Sequence, residues 1–233
     1  TDLSNLHAAV KFYTRCLSYG IKPIFGSDVR IIDEQQHVTL LAMNDTGWRN
    51  LTELVSKGYT DGLKLDTPIL DKEWIFAQSE GLIVLLGINS DVGHALCSSN
   101  PQKADPLIES WQQHFGDRVY FAISRTQRPN EEHFIQEVLT RLPQYPLGVV
   151  AHNDLRFITA DDFEAHEARV CIAEGYVLGD ERRPRRYSEE QYFKTTAQMN
   201  ELFADLPNAL ENTYHLAQRC AVNLTLGENF LPE

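Results

Sequence analysis

The stretch 147-LGVVAHNDLRFITADDFEAHEARVC-171 decides the fold. Leu147, Val149, Val150 and Ala151 form a short apolar run that predicts a buried strand, ending in His152, Asn153 and Asp154. Thr159-Ala160-Asp161-Asp162 then opens a helix running to Glu174, its two aspartates favoured there by the helix dipole. Residues i and i+2 of an extended segment point the same way, so Asp154 and Arg156 are expected to project together from the carboxyl end of the strand. That is where α/β folds usually keep their sites. An Asp-x-His pair there would suggest a metal; Asp-x-Arg suggests an ion pair.

Working outward, the strand–helix alternation repeats. Strands are expected at Lys22 to Ile32, His37 to Met43, Gly81 to Gly87 and Val119 to Ser124, the first two joined by Asp33-Glu34-Gln35-Gln36 as a hairpin. Helices are expected from Leu6 to Leu17, stopped by Gly20, and at Asn50 to Tyr59, Leu70 to Gln78, Asp91 to Cys97, Asp105 to Phe115 and Asn130 to Leu142. Thr60 to Pro68 reads as a loop. The spacing argues for a parallel α/β sheet or barrel. From Ser188 the pattern becomes helical, with Ser188-Glu189-Glu190-Gln191 fitting a capping box and helices at Ala197 to Phe203 and Leu206 to Cys220. The basic loop 180–187 is the natural boundary.

Composition narrows the class. Hydrophobic residues at 42% and charged residues at 23% can build a globular core, which argues against a disordered chain. The longest apolar run, Leu82 to Leu86, is too short to span a bilayer, and no secretory leader opens the chain, so no membrane association is expected. Cys16, Cys97, Cys171 and Cys220 are scattered, as reduced thiols of a cytoplasmic protein would be. The net charge of −12 opposes a broad phosphate-binding face. Arg182, Arg183, Arg185 and Arg186 form a local exception; a solvated loop is preferred over a phosphate or nucleic-acid contact. The chain opens on Thr1 almost directly before a helix and stops on an apolar segment, so a piece of a longer protein is expected.

The eight histidines form no HxH, HExxH or Cys/His ligand cluster. His166, on the helix after the Asp154 loop, is a possible neighbour of a site. No Gly-x-Ser-x-Gly elbow, P-loop or dinucleotide fingerprint is present.

The ordered segments Thr1 to Leu6, Phe12-Tyr13, Gly20 to Asp28, His37 to Ala42, Asn50-Leu51-Thr52, Gly81-Leu82-Ile83, Asn153-Asp154, Asp162 to Ile172, Leu226-Gly227-Glu228 and Phe230-Leu231-Pro232 resemble the amino-terminal region of bacterial DNA polymerase III alpha subunits. That region is a polymerase and histidinol phosphatase (PHP) domain. The resemblance implies a distorted α/β barrel over residues 1–180, lacking its first strand, followed by a basic loop and helical connector over 181–233 leading toward the polymerase core. Competent members hold up to three metal ions in a ring of His, Asp, Glu and Cys ligands. Here the family's Thr-Asp-His keeps Asp2 but has Leu3 for the histidine, and the Glu of Gly-x-Glu is shortened to Asp28. Ile88 and Thr126 stand where ligands are expected, and Asn-Asp-x-His keeps Asp154 but has Arg156 for its histidine. Leu and Ile donate nothing to a metal, and a guanidinium cannot deprotonate to become a ligand. A degenerate site without metal or catalytic residues is therefore expected, with Arg156 bridging Asp28 and Asp154.

The resemblance implies a non-catalytic scaffold that docks a proofreading exonuclease subunit and supports the polymerase core. The resemblance also implies that DNA is contacted through the parent chain, which would use Mg for polymerisation. The alternative is a working metal-dependent phosphoesterase, either a 3′–5′ exonuclease or a pyrophosphatase; a free-standing histidinol phosphatase-like enzyme suffers the same ligand losses.

Overall fold

The computed structural model describes residues 1–33 and 35–228. In chain order the elements are β1 (Asp2–Leu3), α1 (Ala9–Ser18), β2 (Gly26–Arg30), β3 (His37–Ala42), α2 (Asp45–Thr60), β4 (Leu63–Lys64), β5 (Thr67–Pro68), α3 (Lys72–Ala77) and β6 (Leu82–Leu86). There follow α4 (Asp91–Leu96), α5 (Asp105–Phe115), β7 (Val119–Ser124), α6 (Glu131–Arg141), β8 (Gly148–His152), α7 (Phe163–Glu174), α8 (Thr196–Leu202) and α9 (Pro207–Arg219).

Six strands form one sheet in the order β1-β2-β3-β6-β7-β8. The GLIVLLG run supplies β6, every residue of which is buried, as a strand covered on both faces requires. Period-two alternation divides the strands between two cores. Leu40, Val84, Phe121 and Val149 face the larger one, with Trp111, Phe115 and Phe134 from the helices. Leu41, Ile83, Leu85, Tyr120, Ala122 and Val150 face the smaller one, closed by Leu216 of α9 and Cys220.

The α/β class stands, but the sheet is not wholly parallel. β1–β2, β6–β7 and β7–β8 pair parallel, while β3 runs antiparallel to both β2 and β6. The hairpin places β3 between them and forces that reversal. Among the described residues β1 and β8 remain the two sheet edges, so the strands do not close into a barrel.

Most elements fall where periodicity puts them. α5 and β7 keep their expected bounds, and the apolar strand beginning at Leu147 becomes β8. The Lys22 to Ile32 strand shortens to β2, and α2 begins earlier because Asn44 caps it, accepting from the Gly47 amide at 2.9 Å. The 60–68 loop contains the β4–β5 hairpin. The largest departure is at Ser188. Gln191 Oε1 does accept from the Ser188 amide at 3.1 Å, as in a capping box, but no helix follows. The segment makes a single turn at Glu189-Glu190 and continues without helix to Thr195, whose own capping box with Gln198 starts α8. The resemblance at Phe230-Leu231-Pro232 lies outside the described residues.

The late helices are built onto the sheet. Thr213 of α9 accepts from the Ala151 amide at 3.1 Å, and Asn212 Nδ2 donates to the Val149 carbonyl at 2.9 Å. These side chains occupy backbone groups that edge strand β8 would otherwise expose.

Candidate functional site

The carboxyl ends of β6, β7 and β8 lie side by side, with Ser124 and His152 paired in register. Because β3 is antiparallel, it begins at this same end with His37. Asp28 of β2 pairs with Thr39, whose hydroxyl donates to the Asp28 carboxylate at 2.6 Å. These strand ends and the loops leaving them enclose a cavity of about 40 Å³, whose walls include Asp28, His37, Ile88, Arg128, His152 and Asp154.

Asp154 is the centre of the polar network. Its backbone is held at φ +30°, a region costly for a side-chain-bearing residue and kept only where surroundings enforce it. Arg156 Nη2 pairs with Oδ1 at 2.9 Å, and Arg128 Nη2 pairs with Oδ2 at 2.6 Å. Gln191 Nε2 donates to Oδ2 and to the Asp154 carbonyl, both at 3.1 Å. Burial by itself would raise the Asp154 carboxyl, but Arg156, Arg128, His152 and His37 outweigh it and hold the carboxyl below its ordinary value. Burial pushes the His37 imidazole down despite the opposing pull of Asp28.

Arg128 carries a second buried acid. Glu131, 4% exposed, receives Thr126 Oγ1 at 2.7 Å, the Thr126 amide at 2.6 Å, Ser124 Oγ at 3.0 Å and Arg128 Nη2 at 3.3 Å. Arg128 Nε also donates to Thr126 Oγ1 at 3.0 Å. The unit therefore runs from the first turn of α6 through the β7 loop to the β8 loop. Each buried acid of the unit has a positive or hydrogen-bonding partner, which offsets the cost of taking it out of water.

The residues singled out in the sequence distribute unevenly over this geometry. Asp28, Ile88 and Asp154 reach the cavity, and Arg156 stands beside it. Thr126 is buried but turned to Glu131. Leu3 lies opposite Asp28 in the β1–β2 register and is exposed, as is Asp2. Arg156 does meet Asp154, but among the described residues no hydrogen bond or ion pair joins it to Asp28. Arg128 holds the more central place, and sequence reasoning missed it together with Glu131 and Gln191. The one local sign was the Arg128-x-x-Glu131 spacing just after a strand. His166 sits one layer behind, its ring against Tyr187, which in turn lies under the Arg156 guanidinium.

The basic loop is largely spent on internal acids. Arg182 pairs with Asp180 at 2.8 Å, Arg186 with Glu174 at 2.9 Å, and Arg183 with buried Glu167.

The ligand positions do not fit a metal cluster. Asp154 has its oxygens turned to two guanidinium groups and an amide, Ile88 donates nothing, and Thr126 serves Glu131. Among the described residues no group of three or more His, Cys, Asp or Glu side chains is arranged to hold one. None of their helices is long and apolar enough to cross a membrane.

Known proteins share this arrangement of sequence. The chain is 47% identical over 238 residues to DNA polymerase III subunit alpha of Vibrio cholerae, and 44% identical over 239 residues to the same subunit of Pseudomonas aeruginosa and of Escherichia coli K12. Each alignment takes in 100% of this chain but only 20% to 21% of the relative. The chain thus spans about a fifth of the length of the curated relatives it matches. The PHP domain family matches residues 1–126, over half of the chain and including β1 to β7, Asp28, Ile88 and Thr126. On that match the chain belongs to the PHP domain family.

Proposed function

We propose that this chain is the PHP domain of a replicative DNA polymerase III alpha subunit, and that it acts as a non-catalytic scaffold. The carrying observation is that Arg128 and Arg156 both engage Asp154, so fixed positive charge stands where a catalytic cation would have to bind. The relatives' shared name supports the polymerase context. In this reading the chain polymerises nothing itself. Nucleotidyl transfer in the cytoplasm belongs to the rest of the parent subunit with its Mg ions, and DNA is met through that subunit. The PHP domain supports the polymerase core of the same chain and docks the proofreading exonuclease subunit.

The test uses the full-length subunit. Its metal content and phosphodiesterase activity are measured, and the same sample is challenged for co-purification with the proofreading subunit. Substoichiometric Mn and Zn, no phosphodiesterase activity and retained exonuclease binding are expected. Stoichiometric Mn or Zn with phosphodiester hydrolysis would replace this reading with the phosphoesterase one.

A further inference from the structure

Residues 187–194, with one turn at Glu189-Glu190, form a strap that touches both loops of the Asp154 network. Ser188 Oγ donates to the Thr126 carbonyl on the β7 side. On the β8 side, the Gln191 carbonyl accepts the Arg156 amide at 2.8 Å, and Asn153 Nδ2 donates to the Tyr192 carbonyl at 2.8 Å. Phe157 and Tyr192 form a parallel bridge, and the Phe193 amide donates to the Ile158 carbonyl at 3.2 Å. At the centre is Gln191, 0% exposed, with both ends of its amide used: Oε1 accepts from the Ser188 amide, and Nε2 donates to Asp154. A polar side chain buried this fully is held by its partners, because leaving either end unpaired would carry a desolvation penalty.

The strap also leads directly into the late helices. Tyr192 OH accepts from Gln198 Nε2 of α8 at 3.0 Å, and the Thr195 cap begins that helix. Arg125, in the same loop as Thr126 and Arg128, donates to the Leu202 carbonyl at 2.7 Å and pairs with Asp205 at 2.6 Å. The Asp154 network, the strap and the α8–α9 cover are thus one connected polar assembly.

We propose that the strap is a latch: Gln191, locked onto the Asp154 cluster, fixes the 187–194 segment and thereby seats α8 and α9 on the sheet. The cluster then has a use that requires no chemistry. A charge change at Asp154 is transmitted to helices whose nearest turn begins more than forty residues later in the chain. This inference stands on the strap contacts and does not depend on the polymerase reading.

The experiment is hydrogen–deuterium exchange on the full-length protein that contains this chain, comparing peptides covering 187–194, α8 and α9 with α2 as an internal reference. Gln191→Glu sets a carboxylate against Asp154; exchange should rise at least roughly tenfold in the strap, α8 and α9 together, with α2 unchanged. Gln191→Leu removes the hydrogen bonds without adding charge and should give the same pattern more weakly. Adding Asp154→Asn to Gln191→Glu relieves the repulsion and should return protection toward the parent level. If either single variant loosens only 187–194 while α8 and α9 keep their protection, or changes nothing, the latch is overturned. If Gln191→Glu also loosens α2 through general unfolding, Gln191→Leu decides by the same criterion.

Discussion

Arg128 and Asp154 meet at 2.6 Å across two loops that leave different strands, and the same guanidinium reaches Glu131. A single side chain thus neutralises two buried carboxylates at the carboxyl edge of the sheet. Arg156 shares the work at Asp154, but from a position 30% exposed, against 16% for Arg128.

That difference predicts unequal costs. Arg128→Ala leaves Glu131 and part of Asp154 uncompensated and should lower unfolding free energy by about 3–5 kcal/mol. Arg156→Ala should cost about 1 kcal/mol, since solvent screens the more open pair. Denaturant unfolding of the two variants checks the order; equal losses, or a larger loss for Arg156→Ala, would contradict the central place given to Arg128.

Stability should fall in two stages on acidification. The folded His37 imidazole is held below its ordinary value of 6.5, so the unfolded chain takes up the proton first and stability drops as pH falls below 6.5 toward the folded value. The folded Asp154 carboxyl lies below 3.8, so its contribution is present above that pH and is lost as pH falls through the lower folded value. His37→Gln should reduce the upper stage, which the likewise lowered His166 imidazole shares, and Asp154→Asn should reduce the lower, which Asp33, Asp162, Asp180 and Asp205 share. Unfolding free energies measured from pH 7 to the acid limit test both, and an unaltered profile in either variant removes that assignment.

Gly47 in the first turn of α2 packs on the carbonyl of Gly81, which enters β6 at φ +69°. A Cβ at position 47 would stand 1.8 Å from that oxygen, so helix and strand must separate. Gly47→Ala should cost about 1–3 kcal/mol or more, read from the unfolding midpoint. A neutral effect would mean that this approach is not enforced by packing.

The arginines of the 182–186 run should separate into two groups. Arg183→Ala strands buried Glu167 and should lower the unfolding midpoint, whereas Arg182→Ala, with its side chain in solvent, should leave it unchanged. On the polymerase reading proposed above, replacing Arg182, Arg185 and Arg186 together in the full-length subunit should leave the salt slope of DNA binding unchanged, because two of the three already serve acids of this chain. A shallower slope would restore the phosphate contact.

The amino-acid sequence by itself determined most of the elements and the α/β class. Apolar periodicity is local, so β6, β7, β8 and α5 could be read where they stand, and Asp154 with Arg156 could be placed together at a strand end. Only the tertiary structure decided the rest. The antiparallel insertion of β3 brings His37 to the site end, and the β7 and β8 loops bring Arg128 to Asp154. Gln191 reaches that carboxylate from 37 residues away, out of a segment whose local pattern resembles a helix cap. Buried Asp154 and Glu131 had to be neutralised, but which cation or amide does so depends on which loops become neighbours, and no local spacing encodes that.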